Sequence, residues 1–254
     1  TGMPISASKL SFSTVFGEAM ITQGHINERL VAIVAAMKSG CGLDDFAKAF
    51  PDRFFDVAIA EQHAVTLAAG LASQGMVPVV ALYSTFLQRA YDQVLHDVCL
   101  QNLHVIFAID RAGVVGEDGE THQGVFDIAF LSKMPNMTIL APCDYSELRY
   151  MLDYAVNRHN GPIAIRYPRG GSEECIYEHN AFEISKPELV TNGDDVVLIA
   201  LGNKVKTALE VVDKMNNISF KIINLRTISP FDFNSIAQDL AKCKKTVVIE
   251  DSIA

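Results

Sequence analysis

The chain has 254 residues, 49% of them hydrophobic, which allows one large domain or two ordinary ones with a sizeable core. Its formal net charge of -9 and its pI near 5.2 argue against nucleic acid or an anionic membrane as the main partner. The five scattered cysteines form no CxxC pair, which indicates reduced thiols, and we expect neither a membrane span nor a signal peptide at residue 1.

Apolar runs alternate with helical patterns along the first two thirds of the chain. Strands are predicted at 30–37, 55–57, 77–82, 105–110, 138–141 and 163–167, and helices at 61–74, 85–100 and 144–157. Asp144 is the predicted N-cap of the last helix, with Glu147 completing a capping box. Strand 105–110 is apolar until its final charge, which is typical of a buried parallel strand. The alternation predicts an α/β fold with a doubly wound parallel sheet and sites at the carboxyl ends of its strands.

A polar and acidic stretch, residues 171–187, shows little periodicity and is interpreted as a linker. The alternation then resumes, with strands predicted at 196–201, 220–225 and 246–250 and helices at 203–215 and 232–243. Because this second unit has too few strands for a closed domain, we expect an incomplete second α/β domain and a chain that is part of a longer one.

The run 56–66 (DVAIAEQHAVT) places one carboxylate, Glu61, where an apolar strand gives way to an Ala- and Leu-rich helix. Free N–H groups and the positive dipole end at a helix start can fix an acid in place. Taken alone, Glu61 is better interpreted as an ordinary first-turn acid, and His63 as a packed or solvated histidine. Glu61 becomes a candidate catalytic acid only in combination with other motifs.

The run 81–93 (ALYSTFLQRAYDQ) ends a strand at Tyr83 and begins a helix near Thr85, so its turn lies at the expected functional edge. Phe86 and Arg89 are three residues apart and share a helix face. An aromatic ring there can stack on a planar ligand, and an arginine can clamp a phosphate. A core phenylalanine and a surface arginine are about as good an interpretation of this run alone.

The run 110–124 (DRAGVVGEDGETHQG) follows a buried strand and carries Arg111, Asp118 and His122 among four glycines. Glycines let a backbone approach a ligand closely, and a polar loop at this edge is a site candidate by topology. Its spacing is neither a dinucleotide fingerprint nor a Walker loop. In the run 165–170, Arg166 and Arg169 beside a strand end could hold an anion or form a structural charge pair.

Taken together, these runs resemble the 1-deoxy-D-xylulose-5-phosphate synthases, thiamine diphosphate enzymes of the transketolase superfamily. DVAIAEQHAVT, LYSTFLQRAYDQ, IDRAGVVGEDGETHQG and RYPRG occur in that family's order and at its spacings, and the resemblance covers nearly the whole chain. It implies a pyrimidine-binding domain over residues 10–170 and part of a carboxyl-terminal transketolase domain over residues 188–254.

The resemblance implies roles for individual residues. Glu61 would bond the aminopyrimidine ring of thiamine diphosphate, a catalytic and cofactor-binding role, and Phe86 would stack on that ring. His122 would be a catalytic group that moves a proton or contacts pyruvate. The implied substrate-binding residues are Tyr83, Arg89, Arg111, Asp118, His122 and Arg169. Such an arginine cluster would let an acidic protein bind an anionic substrate.

The implied reaction condenses pyruvate with D-glyceraldehyde 3-phosphate, with loss of carbon dioxide, in isoprenoid precursor synthesis. In this family an amino-terminal domain holds Mg²⁺ and the diphosphate through a Gly-Asp-Gly…Asn segment, and this sequence contains no such segment. No metal ligand is therefore predicted in this chain. We expect it to bind the cofactor weakly and to be inactive alone, and to act as a cytoplasmic homodimer together with a diphosphate-binding domain.

Two other interpretations stay open. The beta subunit of a 2-oxoacid dehydrogenase also lacks the diphosphate domain, but its motifs are not EQHAVT or DGETHQG, and it would acylate a lipoyl domain. A non-catalytic scaffold that kept the fold would have no need of all the predicted site residues together.

Overall fold

A computed structural model describes residues 10–215 and 217–253. Asn216 and Ala254, which fall in the predicted second domain, and residue 1 of the signal-peptide prediction lie outside them. The strands are β1 (Leu30–Val34), β2 (Phe54–Asp56), β3 (Val77–Tyr83), β4 (Ile106–Asp110), β5 (Thr138–Leu140), β6 (Ile163–Arg166), β7 (Glu188–Thr191), β8 (Val196–Ala200), β9 (Phe220–Asn224), β10 (Thr227–Ser229) and β11 (Lys245–Ile249). The α-helices are α1 (Phe12–Ile26), α2 (Asp44–Ala49), α3 (Glu61–Ser73), α4 (Ser84–Leu87), α5 (Tyr91–Gln93), α6 (Asp127–Leu131), α7 (Tyr145–Asn157), α8 (Lys204–Lys214) and α9 (Asn234–Lys242).

Seven strands form the larger sheet, in the order β10-β5-β6-β4-β3-β1-β2. All of its pairings are parallel except the one between β10 and β5. Apolar clusters lie on both faces, one around α1 and α7 and the other around α3 and the helical stretch that follows β3. The predicted α/β class with a doubly wound parallel sheet is confirmed.

A second, four-stranded sheet has the order β11-β8-β9-β7, with β7 antiparallel to β9. The two sheets do not correspond to two separate stretches of the chain. Strand β10 follows β9 of the second sheet in the sequence, yet it pairs with β5 of the larger sheet. Buried Arg226 lies beside this crossing and donates to Glu147 of α7 at 2.5 Å, with Glu188 of β7 also 2.5 Å away. The two sheets are therefore joined by the chain that runs from β9 into β10 and by buried ion pairs.

Several predicted elements differ from the observed ones. Residues 85–100 were predicted as one helix, but the stretch divides into α4, a 3₁₀ turn over Gln88–Ala90, α5 and a π-helical turn over Val94–Cys99. Strand 30–37 ends at Val34, because Ala36 takes a left-handed conformation. Glu147 accepts from the backbone N–H of Cys143 rather than from Asp144, so the predicted capping box was wrong in its second half.

Helix α1 was absent from the predicted elements. Its buried positions follow helical spacing, and the signal could have been read from the sequence. The short elements α2, α6, β7 and β10 were also missed, since segments of three to six residues carry too little periodicity. Among the described residues, no helix is long and apolar enough to cross a membrane.

Candidate active site

The predicted site residues gather at the carboxyl edge of the larger sheet. Glu61 follows β2, Tyr83 ends β3, Arg111 follows β4, and Arg169 lies three residues after β6. These four strands are parallel through β1, so their carboxyl ends share one edge.

Glu61 is the first residue of α3, and only 2% of it is exposed. Its Oε2 lies 3.1 Å from Nη1 of Arg89, but the guanidinium N–H does not point at it, so this buried oxygen has no hydrogen-bond partner among the described residues. A buried acceptor without a hydrogen bond is compensated only in part for its lost hydration, here by the charge of Arg89. Such an oxygen fits a ligand that brings its own N–H donor to the start of α3.

Three aromatic rings stand beside one another at the ends of β3 and of the polar loop. Tyr83 and Phe86 stack with their centroids 5.8 Å apart, and His122 meets Phe86 edge-on at 5.2 Å. Phe86 is half-buried. A half-buried aromatic ring at this edge of the sheet is suited to contact a planar ligand.

Two arginines converge on one carboxylate in the polar loop. Arg111 Nε and Arg169 Nε lie 3.3 Å and 3.1 Å from the same Oδ2 of Asp118. Arg169 also pairs with the exposed Glu117. The guanidinium of Arg111 further covers the ring of Tyr83 at 3.9 Å. This cluster can exchange a loop carboxylate for an anionic ligand.

Asp110, the last residue of β4, supports Arg111 through a hydrogen bond and an ion pair. Its Oδ1 accepts the backbone N–H of Arg111 at 2.7 Å, and its Oδ2 accepts from Ser13 Oγ at 2.6 Å. Burial raises the pKa of Asp110 to about 6, against the opposing effect of the Arg111 charge. Arg111 itself has a φ of +58°, a left-handed conformation that this hydrogen bond helps to hold.

A cleft of about 540 Å³ opens between this arginine cluster and the start of α1. Its lining includes Ser11, Ser13, Ser39, Arg111, Glu117 and Arg169. Hydroxyl groups and two guanidinium groups in one cleft suit a small phosphorylated or carboxylated ligand. A second cavity of about 260 Å³ lies beside Tyr150, Phe182 and Arg226, and none of the predicted site residues lines it.

The structure brings together most of the predicted set, in two groups. Tyr83, Phe86 and His122 join the Arg111 cluster, whereas Arg89 lies against Glu61 and has no ion pair with Asp118. Arg166 faces away from the cleft and is buried in a triad, donating to Asp127 at 3.1 Å and to Asp251 at 2.9 Å.

Sequence reasoning missed some residues that shape the site. The sequence prediction assigns no role to Asp110, although a carboxylate that ends a buried strand is a detectable signal. Gly40 accepts from Arg111 Nη1 through its carbonyl at 2.8 Å, and a β-carbon on it would lie 1.9 Å from the Tyr83 hydroxyl. No sequence pattern near residue 40 indicates that contact.

The residues present fit the pyrimidine half of thiamine diphosphate. Glu61 offers a buried, unpartnered acceptor, and Phe86 offers a ring face near the same edge. Both features suit an aminopyrimidine, which is planar and carries ring nitrogens that form hydrogen bonds.

Comparison with known proteins places both parts of the chain. Residues 8–173 match the family "Transketolase, pyrimidine binding domain", and residues 185–254 match "Transketolase, C-terminal domain". A protein of Clostridium acetobutylicum named 1-deoxy-D-xylulose-5-phosphate synthase is 52% identical over 257 residues, covering 100% of this chain and 41% of its own length. A protein of the same name from Desulforudis audaxviator is 49% identical, covering 100% and 40%. The chain thus spans about two fifths of the length of these relatives.

Solved structures give the same fold. One described as "Split gene transketolase, inactive beta4 tetramer" superposes with a TM-score of 0.86 at 28% identity, covering 96% of this chain and 81% of its own. A transketolase mutant of Pichia stipitis superposes with a TM-score of 0.82 at 16% identity, covering 98% of this chain and 40% of its own, which supports the fold alone. The chain belongs to the transketolase family, as a pyrimidine-binding domain followed by a transketolase C-terminal domain.

Proposed function

We propose that this chain is the pyrimidine-binding and carboxyl-terminal part of a 1-deoxy-D-xylulose-5-phosphate synthase. The whole enzyme would condense pyruvate with D-glyceraldehyde 3-phosphate and release carbon dioxide, supplying isoprenoid precursors. The proposal draws on relatives of that name that are about half identical over the full chain. The observation that carries it is the buried Oε2 of Glu61 at the start of α3, which has no hydrogen-bond partner in the described part of the chain.

In this proposal the cofactor supplies the electron sink that lets a 2-oxo acid lose carbon dioxide. Glu61 forms a hydrogen bond with a ring nitrogen of the aminopyrimidine and keeps the shared proton at that nitrogen. Phe86 stacks on the ring and fixes its plane. His122 lies beside Phe86, with the ring centroids 5.2 Å apart, and is proposed to exchange a proton with the substrate.

Arg111 and Arg169 are proposed to bind the phosphate of the aldehyde in the 540 Å³ cleft. Both guanidinium groups now contact Asp118, so an incoming phosphate would take over donors that the loop already orients. Tyr83 fixes the plane of Arg111 from one side. Arg89 stays a predicted substrate contact, although its pairing with Glu61 favours a place beside the cofactor ring.

Mg²⁺ and the diphosphate are proposed to be held by a separate domain, because this chain spans only 41% and 40% of the length of the two relatives. The relation to a split-gene transketolase supports pairing with such a domain on another stretch of chain. We further propose a homodimer in the cytoplasm, and a chain that is inactive by itself.

The test is product formation from pyruvate and D-glyceraldehyde 3-phosphate with thiamine diphosphate and Mg²⁺. This chain alone should form no pentulose phosphate and should bind the cofactor weakly by calorimetry. Addition of the diphosphate-binding half of a relative should restore product formation and tight cofactor binding. Tight cofactor binding by the isolated chain would overturn the proposal that a separate domain holds the diphosphate. Acylation of a lipoyl domain would replace the proposal with a 2-oxoacid dehydrogenase component.

A further inference from the structure

Two alanines at the carboxyl edge of the sheet hold left-handed backbone conformations. Ala36 has φ +58° and Ala58 has φ +57°. A side chain with a β-carbon rarely occupies this region, and such residues persist only where surrounding contacts hold them. Ala36 lies two residues after β1, and Ala58 lies two residues after β2, so the strained positions are equivalent on neighbouring strands.

One carboxylate oxygen binds both positions. Oδ1 of Asp56 accepts the backbone N–H of Ala36 at 2.9 Å and that of Ala58 at 3.0 Å. Asp56 is the last residue of β2 and is paired in register with Val34, the last residue of β1. A charged acceptor makes stronger hydrogen bonds to backbone N–H groups than a neutral one. Asp56 therefore ties together the two segments that leave β1 and β2.

The segment held in this way leads directly to Glu61. Only four residues, 57–60, separate Asp56 from the start of α3, and the N-cap Ala60 has no side-chain hydrogen bond to the helix. Val57 N–H donates to Val34 O at 3.0 Å, and Ala60 N–H donates to Ala58 O at 2.8 Å. The path into α3 is thus fixed by the strand end and by Ala58, not by a capping side chain.

The same carboxylate also reaches the segment that supports Arg111. Ala36 begins the stretch that leads to Gly40, whose carbonyl accepts from Arg111 Nη1 at 2.8 Å. Asp56 is exposed, and among the described residues no Lys, Arg or His forms an ion pair with it. Its carboxylate therefore accepts hydrogen bonds from backbone N–H groups instead of forming a salt bridge.

We infer that Asp56 is a positioning residue, which sets the entry of α3 and so aims Glu61 by holding Ala36 and Ala58 in left-handed conformations. The part of this inference that concerns cofactor binding rests on the proposed function. The part that concerns the backbone does not, because it predicts local order that can be measured without a ligand.

The experiment compares variants of this chain combined with a diphosphate-binding half. Asp56→Ala removes the acceptor, Asp56→Asn keeps a neutral one, and the triple variant Asp56→Ala, Ala36→Gly, Ala58→Gly removes the acceptor and also the β-carbons that make the conformations costly. Asp52→Ala is the matched control, since Asp52 is an exposed aspartate on the preceding turn. The readouts are amide hydrogen exchange over residues 58–64 and the Kd of thiamine diphosphate.

Asp56→Ala should speed exchange over residues 58–64 by about tenfold and raise the Kd by about tenfold, because the path into α3 is no longer held. Asp56→Asn should stay within about threefold of the unmodified protein, and the two glycines should recover most of the loss in exchange. Asp52→Ala should change neither readout.

Unchanged exchange in Asp56→Ala would overturn the inference, as would a triple variant no better than Asp56→Ala. Faster exchange with an unchanged Kd would overturn the link to Glu61. If the unmodified protein binds no cofactor, the proposed function fails, and the exchange data still decide whether Asp56 orders the entry of α3.

Discussion

At the scale of single residues, the site contains two carboxylates whose environments differ. Glu61 is buried with one oxygen unpartnered, whereas Asp110 is buried with both oxygens accepting hydrogen bonds. An unsatisfied buried acceptor costs about 1–3 kcal/mol, so Glu61 is a poor choice for stability alone. Asp110 instead satisfies its own oxygens while it holds Arg111. The first arrangement suits a group that awaits a ligand, and the second suits a support.

Glu61→Gln tests this reading of Glu61. The amide keeps the size of the side chain but not its charge or its ability to release and take up a proton, so product formation by the reconstituted enzyme should fall at least ~100-fold. The free energy of unfolding should change by no more than about 1 kcal/mol, because the loss of the ion pair with half-exposed Arg89 is offset by burying a neutral group in place of a charged one. Enzyme assays and chemical unfolding measure the two effects. Activity within threefold of the unmodified enzyme would contradict the assignment.

Asp110→Asn tests the buried support through its pH dependence. Burial raises the pKa of Asp110 to about 6 in the folded chain, above its ordinary value of 3.8. The unfolded chain therefore loses this proton first, and the contribution of Asp110 to stability declines as pH rises from 3.8 to 6. Between pH 4 and pH 7 the unmodified chain should lose about 2 kcal/mol relative to Asp110→Asn. Denaturant unfolding at the two pH values measures it, and a constant difference would show that Asp110 titrates normally.

At the scale of elements, the sequence predicts the strands and the buried faces better than it predicts the backbone path. Leu87, Ala90, Val94 and Val98 are all buried at helical spacing, so the buried face of residues 84–99 is readable. The change from α to 3₁₀ to π turns cannot be predicted from the sequence. These forms differ by one residue in the spacing between the hydrogen-bonded N–H and C=O groups, and the apolar pattern does not reveal that difference.

The candidate site divides in the same way. Motifs at the ends of predicted strands single out Glu61, Phe86 and Arg111, so the sequence alone is enough to select them as candidates. The pairing of Arg89 with Glu61 and the contact of Gly40 with Tyr83 depend on segments that meet only in the folded chain. The left-handed Ala36 is also invisible to a pattern that favours a strand through residue 37.

The glycines of the polar loop provide a matched pair for a test. Gly113 has φ +83°, and a β-carbon on it would lie 2.3 Å from Oδ2 of Asp251, which Arg166 holds in place. Gly116 has open space around it and no left-handed φ. Gly113→Ala should lower the free energy of unfolding by ~2–3 kcal/mol, whereas Gly116→Ala should change it by less than ~0.5 kcal/mol. Thermal unfolding compares the two, and equal effects would show that Asp251 does not pack on the loop.

At the scale of the whole molecule, the second sheet contacts the first at two places in addition to the chain that runs from β9 into β10. The segment after β11 reaches the base of the polar loop, where Asp251 binds Arg166 and the Ile253 N–H donates to Val125 O at 3.0 Å. The other attachment is the buried polar cluster around Arg226, which joins Glu147 of α7 to Glu188 of β7. Both attachments consist of buried charges, and the second also contains a histidine, His179.

His179 is the group through which pH should act on the second attachment. It lies in the predicted linker with its Nε2 2.6 Å from Asp144 Oδ2 and its Nδ1 3.4 Å from Glu188 Oε2. Burial alone would lower the pKa of His179, but the hydrogen bonds to these two carboxylates and the nearby charge of Glu147 outweigh it and raise the pKa to about 10.

The expected result is a loss of stability on the alkaline side. Because the folded pKa of about 10 lies above the ordinary value of 6.5, the protonated ring stabilises the fold fully below pH 6.5. This contribution declines as pH rises from 6.5 to 10. His179→Gln should remove about 2–3 kcal/mol from the free energy of unfolding at pH 6 and much less at pH 10. His96→Gln, at an exposed histidine beside Asp97, should cost less than ~0.5 kcal/mol. Denaturant unfolding at both pH values decides the matter, since a His179→Gln cost that is equal at pH 6 and pH 10 would mean that the ring acts by packing rather than by charge.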